Sequence, residues 1–158
     1  MELLAQYLDI AIFAVLGLMS LAALATIVER YIHYSRIDVT QFAHIESLRI
    51  ELNKGLTLIA SVASNAPYVG LLGTVFGIML TFYDIGQAQE IDTKSVMVGL
   101  SLALKATALG LLVAIPSMMF YNALTAKAET LISLWKIAQS ERAAKMAQVA
   151  ASSHASIR

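Results

Sequence analysis

Three long stretches of the chain are almost wholly apolar, and the segments between and after them are mixed. Ile10 to Val28 runs without a polar interruption that a soluble core would need. Leu56 to Tyr83 and Lys94 to about Tyr121 are the second and third such stretches. Each is long enough for the ~20 residues that a helix needs to cross a bilayer. The pattern therefore predicts an all-α, three-span integral membrane protein. Spans are expected at about 10–28, 56–83 and 94–121, within a single membrane domain covering 1–158. Tyr7, Tyr31 and Tyr34 bracket the first span as interfacial aromatics do. Between the first two spans, Phe42, Ile45, Leu48 and Leu52 recur at helical spacing, which predicts an amphipathic helix over 29–55 outside the bilayer. Asn53-Lys54-Gly55 reads as a turn. Beyond Asn122, charged residues alternate with Leu124, Leu131, Leu134 and Ile137. This predicts a long helix leaving the membrane over about 122–155 and fraying near its Ala-Ser-Ser-His end.

Composition agrees. Of 158 residues, 58% are hydrophobic and 14% charged, far from the balance of a soluble domain. The net charge is zero, so nothing favours nucleic acid as a partner. With no cysteine, disulfides, thiolate metal sites and cysteine catalysis are excluded. His33, His44 and His154 lie outside the spans and lack metal-site spacing, so neither a metal nor a cofactor is expected. No phosphate loop or nucleophile motif is present, and an enzyme is not expected. The N-terminal flank carries Glu2 and Asp9 but no basic stretch, so the first apolar run is expected to be retained rather than cleaved.

Lysine and arginine placement predicts orientation. Arg30, Arg36, Arg49 and Lys54 lie between the first two spans, and Lys127, Lys136, Arg142, Lys145 and Arg158 follow the third. The N-terminal flank has none, and the loop at 84–94 has only Lys94. The positive-inside rule then puts the N-terminus and the short loop outside, and both longer segments in the cytoplasm.

The second and third spans carry the candidate chemistry. Residues 67–81 read PYVGLLGTVFGIMLT, and residues 99–116 read GLSLALKATALGLLVAIP. Gly70, Gly73 and Gly77 share one helix face, while Gly99, Ala103, Ala106, Gly110, Ala114 and Ser117 form a longer small-residue stripe. Such stripes predict close helix packing, within a subunit or between subunits. Thr74 lies about 15 Å down its helix from Asp84, and Thr107 about 20 Å down from Lys94, at ~1.5 Å per residue. The spans run oppositely, so the two threonines share a depth. In a symmetric oligomer they could line a pore as hydroxyl rings; alternatively each bonds its own i−4 carbonyl. Lys105, the one formal charge inside a span, points about 200° away from Thr107 at ~100° per residue. It either pairs with an acid on another helix or partner, or snorkels. Pro67 and Pro116, near the cytoplasmic span ends, free the carbonyls of Ala63 and Leu112, giving either a kinked inner mouth or ordinary bending. No Asp or Glu lies within a span, so a proton path would take its titrating carboxylate from a partner.

Together, Asn65 to Met79 and Gly99 to Pro116 resemble the MotA/TolQ/ExbB proton-channel family, in a short ExbB-like form. The match covers about residues 64–122, and the first span agrees in kind. The resemblance implies a pentamer in the bacterial inner membrane, bathed in membrane lipids, with long cytoplasmic helices. It implies a central pore holding single spans of an ExbD-like partner, which carries the protonatable Asp, and a TonB-like protein that passes proton-motive energy to outer-membrane import. On that pattern Thr74 and Thr107 match pore threonines. The chain departs from it at Leu102, where ExbB proteins often carry Glu, so a proton relay through this subunit's own glutamate is not expected. TolQ, which serves envelope integrity, shares the architecture.

Overall fold

The computed structural model describes residues 2–87 and 93–156. These fold as four α-helices and one 3-10 turn: α1 Glu2–Arg36, the turn Val39–Gln41, α2 Ile45–Asn53, α3 Leu56–Gln87 and α4 Thr93–Ser156. The short outer loop predicted at 84–93 falls largely on residues 88–92, outside those described.

Three of the four helices are long and apolar enough to cross a membrane. On α1, Ile12, Leu16, Ala23, Ile27, Arg30 and Tyr34 are buried at helical steps and form the face turned to the rest of the chain. Phe13, Leu18, Leu21, Leu24 and Val28 cover the other sides and stay exposed. Leaving so much apolar surface in water would cost ~25 cal/mol per Å², whereas in lipid it costs nothing. The burial pattern therefore matches a membrane solvent.

The region between the first two apolar stretches differs from the single amphipathic helix over 29–55. The helix of the first span runs on to Arg36, and only Ile45–Asn53 forms a separate helix. The break has a local cause. The Asp38 carboxylate accepts hydrogen bonds from the Thr40 amide (2.9 Å) and hydroxyl (2.7 Å), capping the 3-10 turn in place of further α-helix. The Thr40 hydroxyl, then its amide, hold the Asp38 carboxyl below its ordinary range. α2 ends at the predicted Asn53-Lys54-Gly55 turn. Gly55 sits at φ +78°, where a Cβ would meet Thr26 Cγ2 at 2.8 Å, so only glycine lets the chain reverse this close to α1.

Two cores result. The inner one gathers Ala23, Ile27, Tyr34, Leu48, Leu52, Leu56, Ile59, Val62, Leu124 and Ala128 from all four helices. Leu48, Leu52 and Ile59 are fully enclosed. The other joins Ile12 and Leu16 of α1 to Ala66, Ala106 and Ala114. At 64 residues α4 is about 96 Å long, some three times the ~30 Å hydrocarbon layer of a bilayer. Its C-terminal half is tied to the segment before α2 by Trp135 Nε1, which donates to Phe42 O at 2.9 Å. α4 is described as helical to Ser156.

Tyr34 is a correction to the interfacial assignment. It is 3% exposed and its hydroxyl donates to Leu52 O, whereas Tyr7 and Tyr31 are each 69% exposed. Tyr34 falls on the same face as Ile27, one turn beyond Arg30, and that face turns inward.

Candidate functional site

α3 and α4 lie against each other along a seam of small residues. A Cβ on Gly70 would fall 2.6 Å from Ala106 O and 3.0 Å from Thr107 Cα. One on Gly110 would fall 2.6 Å from Ala66 O, one on Gly77 2.7 Å from Ala103 Cβ, and one on Gly73 2.6 Å from Ala106 Cβ. Gly99 meets the Thr81 side chain, with Oγ1 2.5 Å from its hypothetical Cβ. These contacts lie within one chain. At Gly70 and Gly110 the obstacle is backbone, which cannot yield as a flexible side-chain tip would.

That closeness brings the two threonines together. Their hydroxyls hydrogen-bond each other directly. Thr74 Oγ1 also lies 3.3 Å from both Gly70 O and Ala103 O, and Thr107 Oγ1 lies 3.3 Å from Gly70 O. The arrangement is crossed: each hydroxyl reaches the carbonyl one turn before the other threonine. A hydroxyl has one proton to donate and two lone pairs. One threonine therefore donates to the other, which donates to a carbonyl, and the order can reverse. Such a pair can orient a water or a passing proton but cannot hold charge near neutral pH. Thr74 is 9% exposed, and Thr107 is half-buried beside it.

Toward the 84–94 side the seam opens into a groove of about 180 Å³, lined by Gly77, Thr81, Asp84, Gly99, Leu102 and Ala103 among others. Thr81 bonds its own Gly77 O at 2.9 Å. Ala103 links the groove to the threonines, since its carbonyl is the one Thr74 reaches.

Lys105 is exposed on the far side of α4, and no described carboxylate pairs with it. Pro67 and Pro116 lie inside α3 and α4, and neither ends its helix. Pro67 is half-buried and Pro116 exposed. Ser117, beside Pro116, is buried and donates to Val113 O at 2.7 Å. Among the described residues no His, Asp and Glu side chains gather as a metal site.

Sequence reasoning missed a polar joint at the end of α1. Arg30 is 4% exposed. Its Nη2 lies 2.6 Å from Glu29 Oε1; its Nη1 donates to Glu51 O at 3.3 Å and lies 3.8 Å from Glu51 Oε1. His33 Nε2 is 3.3 Å from Glu51 Oε1 but lacks hydrogen-bond geometry. Arg30 was visible only as a positive charge marking orientation. Its place on the buried face with Ala23, Ile27 and Tyr34 was the available clue.

Three apolar helices, two of them joined by a small-residue seam and paired hydroxyls, define a helical membrane protein. The profile of the MotA/TolQ/ExbB proton channel family matches residues 19–137, and the chain belongs to that family. It is 51% identical to a biopolymer transport protein ExbB of Helicobacter pylori (strain J99) over 137 residues, 87% of this chain and 94% of that protein. It is 50% identical to the ExbB of Aquifex aeolicus over 141 residues, 89% of this chain and 95% of that protein. The Tol-Pal system protein TolQ of Pseudomonas aeruginosa is 44% identical over 82 residues, 52% of this chain and 36% of that protein.

Proposed function

We propose that this chain is the channel-forming subunit of an inner-membrane energising complex of the TonB–ExbB–ExbD type. Five copies surround single spans of an ExbD-like partner, and a TonB-like protein carries the work to outer-membrane transporters. The N-terminus and the 84–94 loop face the periplasm, and α2 and the projecting part of α4 face the cytoplasm. The crossed Thr74–Thr107 pair carries this reading. It supplies oriented hydroxyls at mid-membrane depth in a chain whose described spans hold no carboxylate there, so the partner's acid does the titrating. Lys105, on the opposite face, is free to pair with an acid of a neighbouring chain. A proton falling through ~100 mV releases about 2.3 kcal/mol, which does work only if the path is coupled to motion rather than open.

The deciding experiment is the Thr74→Val, Thr107→Val double variant. Valine keeps the shape and removes the hydroxyls, at about 1 kcal/mol per lost hydrogen bond, so assembly survives. Partner-dependent proton flux in vesicles and energised uptake of a carrier-bound iron source should both collapse, while Thr→Ser variants retain much of each. Full flux and uptake in the double valine variant would remove the threonines from the path. Absence of flux from the wild-type complex itself would favour a non-conducting scaffold. The likeness to TolQ over 82 residues keeps a Tol-Pal role as the second reading. Rescue of detergent sensitivity in a strain lacking TolQ, without rescue of iron uptake in one lacking ExbB, would favour it. The length match supports the ExbB reading: the chain spans 94% and 95% of the two ExbB relatives and 36% of the TolQ.

A further inference from the structure

The first half of α3 carries a polar stripe separate from the threonine pair. Thr57, Ser61, Ser64 and Tyr68 follow at i, i+4, i+7 and i+11, so they share one face of the helix, with Asn65 at its edge. All five are exposed, on the side turned away from the buried Ala66, Gly70 and Gly73. Further along α3 the same face carries Leu71, Leu72, Val75 and Met79, also exposed.

Contacts between the helices show what stands level with the stripe. A Cβ on Gly73 would touch Ile12, one on Gly55 would touch Thr26, and one on Gly110 would touch Ala66 O. Counting between these points, residues 61–65 of α3 are level with about 18–22 of α1 and about 111–115 of α4. There α1 exposes Leu18 and Leu21, and α4 exposes Leu111, Leu112 and Ile115. One layer of the molecule is therefore apolar on two sides and polar on the third. Exposed leucines belong in hydrocarbon, whereas polar side chains at the same level face a protein interior or water.

The outer faces of another copy suit the stripe poorly. Ser64 Oγ donates to Ala60 O at 2.8 Å, and Asn65 Nδ2 donates to Ser61 O at 2.8 Å. Among the described residues nothing donates to Asn65 Oδ1, and the Tyr68 hydroxyl has no partner. The leucines and isoleucine that α1 and α4 expose at this level offer neither donor nor acceptor. Each polar group left unpaired there costs about 1–3 kcal/mol. The Tyr68 ring, 68% exposed, also holds a second backbone away from the stripe. Water supplies donors and acceptors without close packing.

We propose that this face of α3 lines a one-ended aqueous cavity in the assembled complex. Water enters at the α2 end of the helix and reaches Tyr68, and Leu71, Leu72, Val75 and Met79 close the same face beyond it. Tyr68 is about 9 Å short of Thr74 along the helix. The cavity thus brings protons within two turns of the threonine pair without an open path across the membrane. It deepens the channel reading and takes its purpose from it, but hydration itself needs only the membrane placement of the helices.

The chain has no cysteine, so single replacements each report one position. The full-length protein, in its assembled complex in lipid nanodiscs, is treated with a charged methanethiosulfonate that reaches both faces and does not enter lipid. Ser61→Cys and Ser64→Cys should react within about tenfold of Ser47→Cys, an exposed site on α2, because the thiolate that reacts forms readily only in water. Val75→Cys, on the same face of α3, and Leu21→Cys, at the same level on α1, should react about a hundredfold more slowly or less, since apolar surroundings suppress the thiolate. Ser64→Cys as slow as Val75→Cys would overturn the proposal, because the stripe would then be covered by another chain. Leu21→Cys as fast as Ser64→Cys would overturn it too, because the whole layer would lie in water. Fast reaction of Val75→Cys would remove the closed end. If Ser64→Cys fails to assemble, Ser61→Cys decides in its place. Fast labelling in a complex that passes no protons in vesicles would remove conduction and leave the cavity. Slow labelling in a complex that conducts would remove the cavity alone.

Discussion

The α3–α4 seam and the inner joint of all four helices are held together by different physics. The seam contains almost no large side chains. Gly70, Gly77, Ala103, Ala106 and Gly110 let two backbones touch, and two hydroxyls stitch them. In lipid there is no hydrophobic drive to bring helices together, so close van der Waals packing and interhelical hydrogen bonds must do it. The joint is built like the core of a soluble protein. Leu48, Leu52 and Ile59 are fully enclosed, and Arg30, Tyr34 and Trp135 reach across it to backbone carbonyls of the 42–52 segment. It gathers where α2 packs against the three long helices, and large apolar side chains fill the space that glycine and alanine leave closed in the seam. The seam should therefore tolerate loss of a methyl and fail on gain of one, while the joint should be damaged most by loss of large side chains.

Gly110→Leu should have the largest effect. Its first added carbon would lie 2.6 Å from Ala66 O, on backbone that cannot move aside without parting the helices. We expect little or no monodisperse oligomer from detergent extracts. Gly17→Leu gives the contrast, because beyond its chain neighbours and its own turn of helix backbone no atom lies within 4 Å of a Cβ built at Gly17. Equal recovery of Gly110→Leu and wild type would mean that the seam is not a close-packed contact.

At the joint the damaging change is a deletion. Leu48→Ala should cost about 2–5 kcal/mol, as for other enclosed leucines whose removal leaves a cavity. The readout is the thermal midpoint in detergent, with Ile50→Ala, on the exposed side of α2, as the neutral comparison. A midpoint shift no larger for Leu48→Ala than for Ile50→Ala would contradict a soluble-type core.

The smallest effect lies at the turn feeding the joint. The Asp38 carboxyl titrates below its ordinary range in the fold because Thr40 bonds its charged form. Such a group contributes stability that is present above the unfolded pKa of about 4 and is lost as pH falls through the lower folded value. Protection of the amides across 39–42, measured relative to their intrinsic exchange at each pH, should therefore fall as pH drops below about 4, and Asp38→Ala, which removes the acceptor oxygen, should lower it at neutral pH with little effect on the rest. Exchange in the variant identical to wild type at neutral pH would remove the carboxylate cap as the cause of the turn.

The apolar runs, the turn at Asn53-Lys54-Gly55, the small-residue faces and the shared depth of Thr74 and Thr107 could all be counted along the chain. Each depends on local spacing and on the ~1.5 Å rise of a helix, which the order of residues determines. Tertiary structure decided which faces meet. It brought Thr74 and Thr107 into one bond, because the meeting of their faces depends on how α3 and α4 rotate against each other, and no property of either helix sets that. It buried Arg30 and Tyr34, which read in isolation as a boundary charge and an interfacial ring, because α2 folds back over the end of α1. In every case the deciding quantity was a contact between distant segments, and periodicity along one segment says only that a face exists.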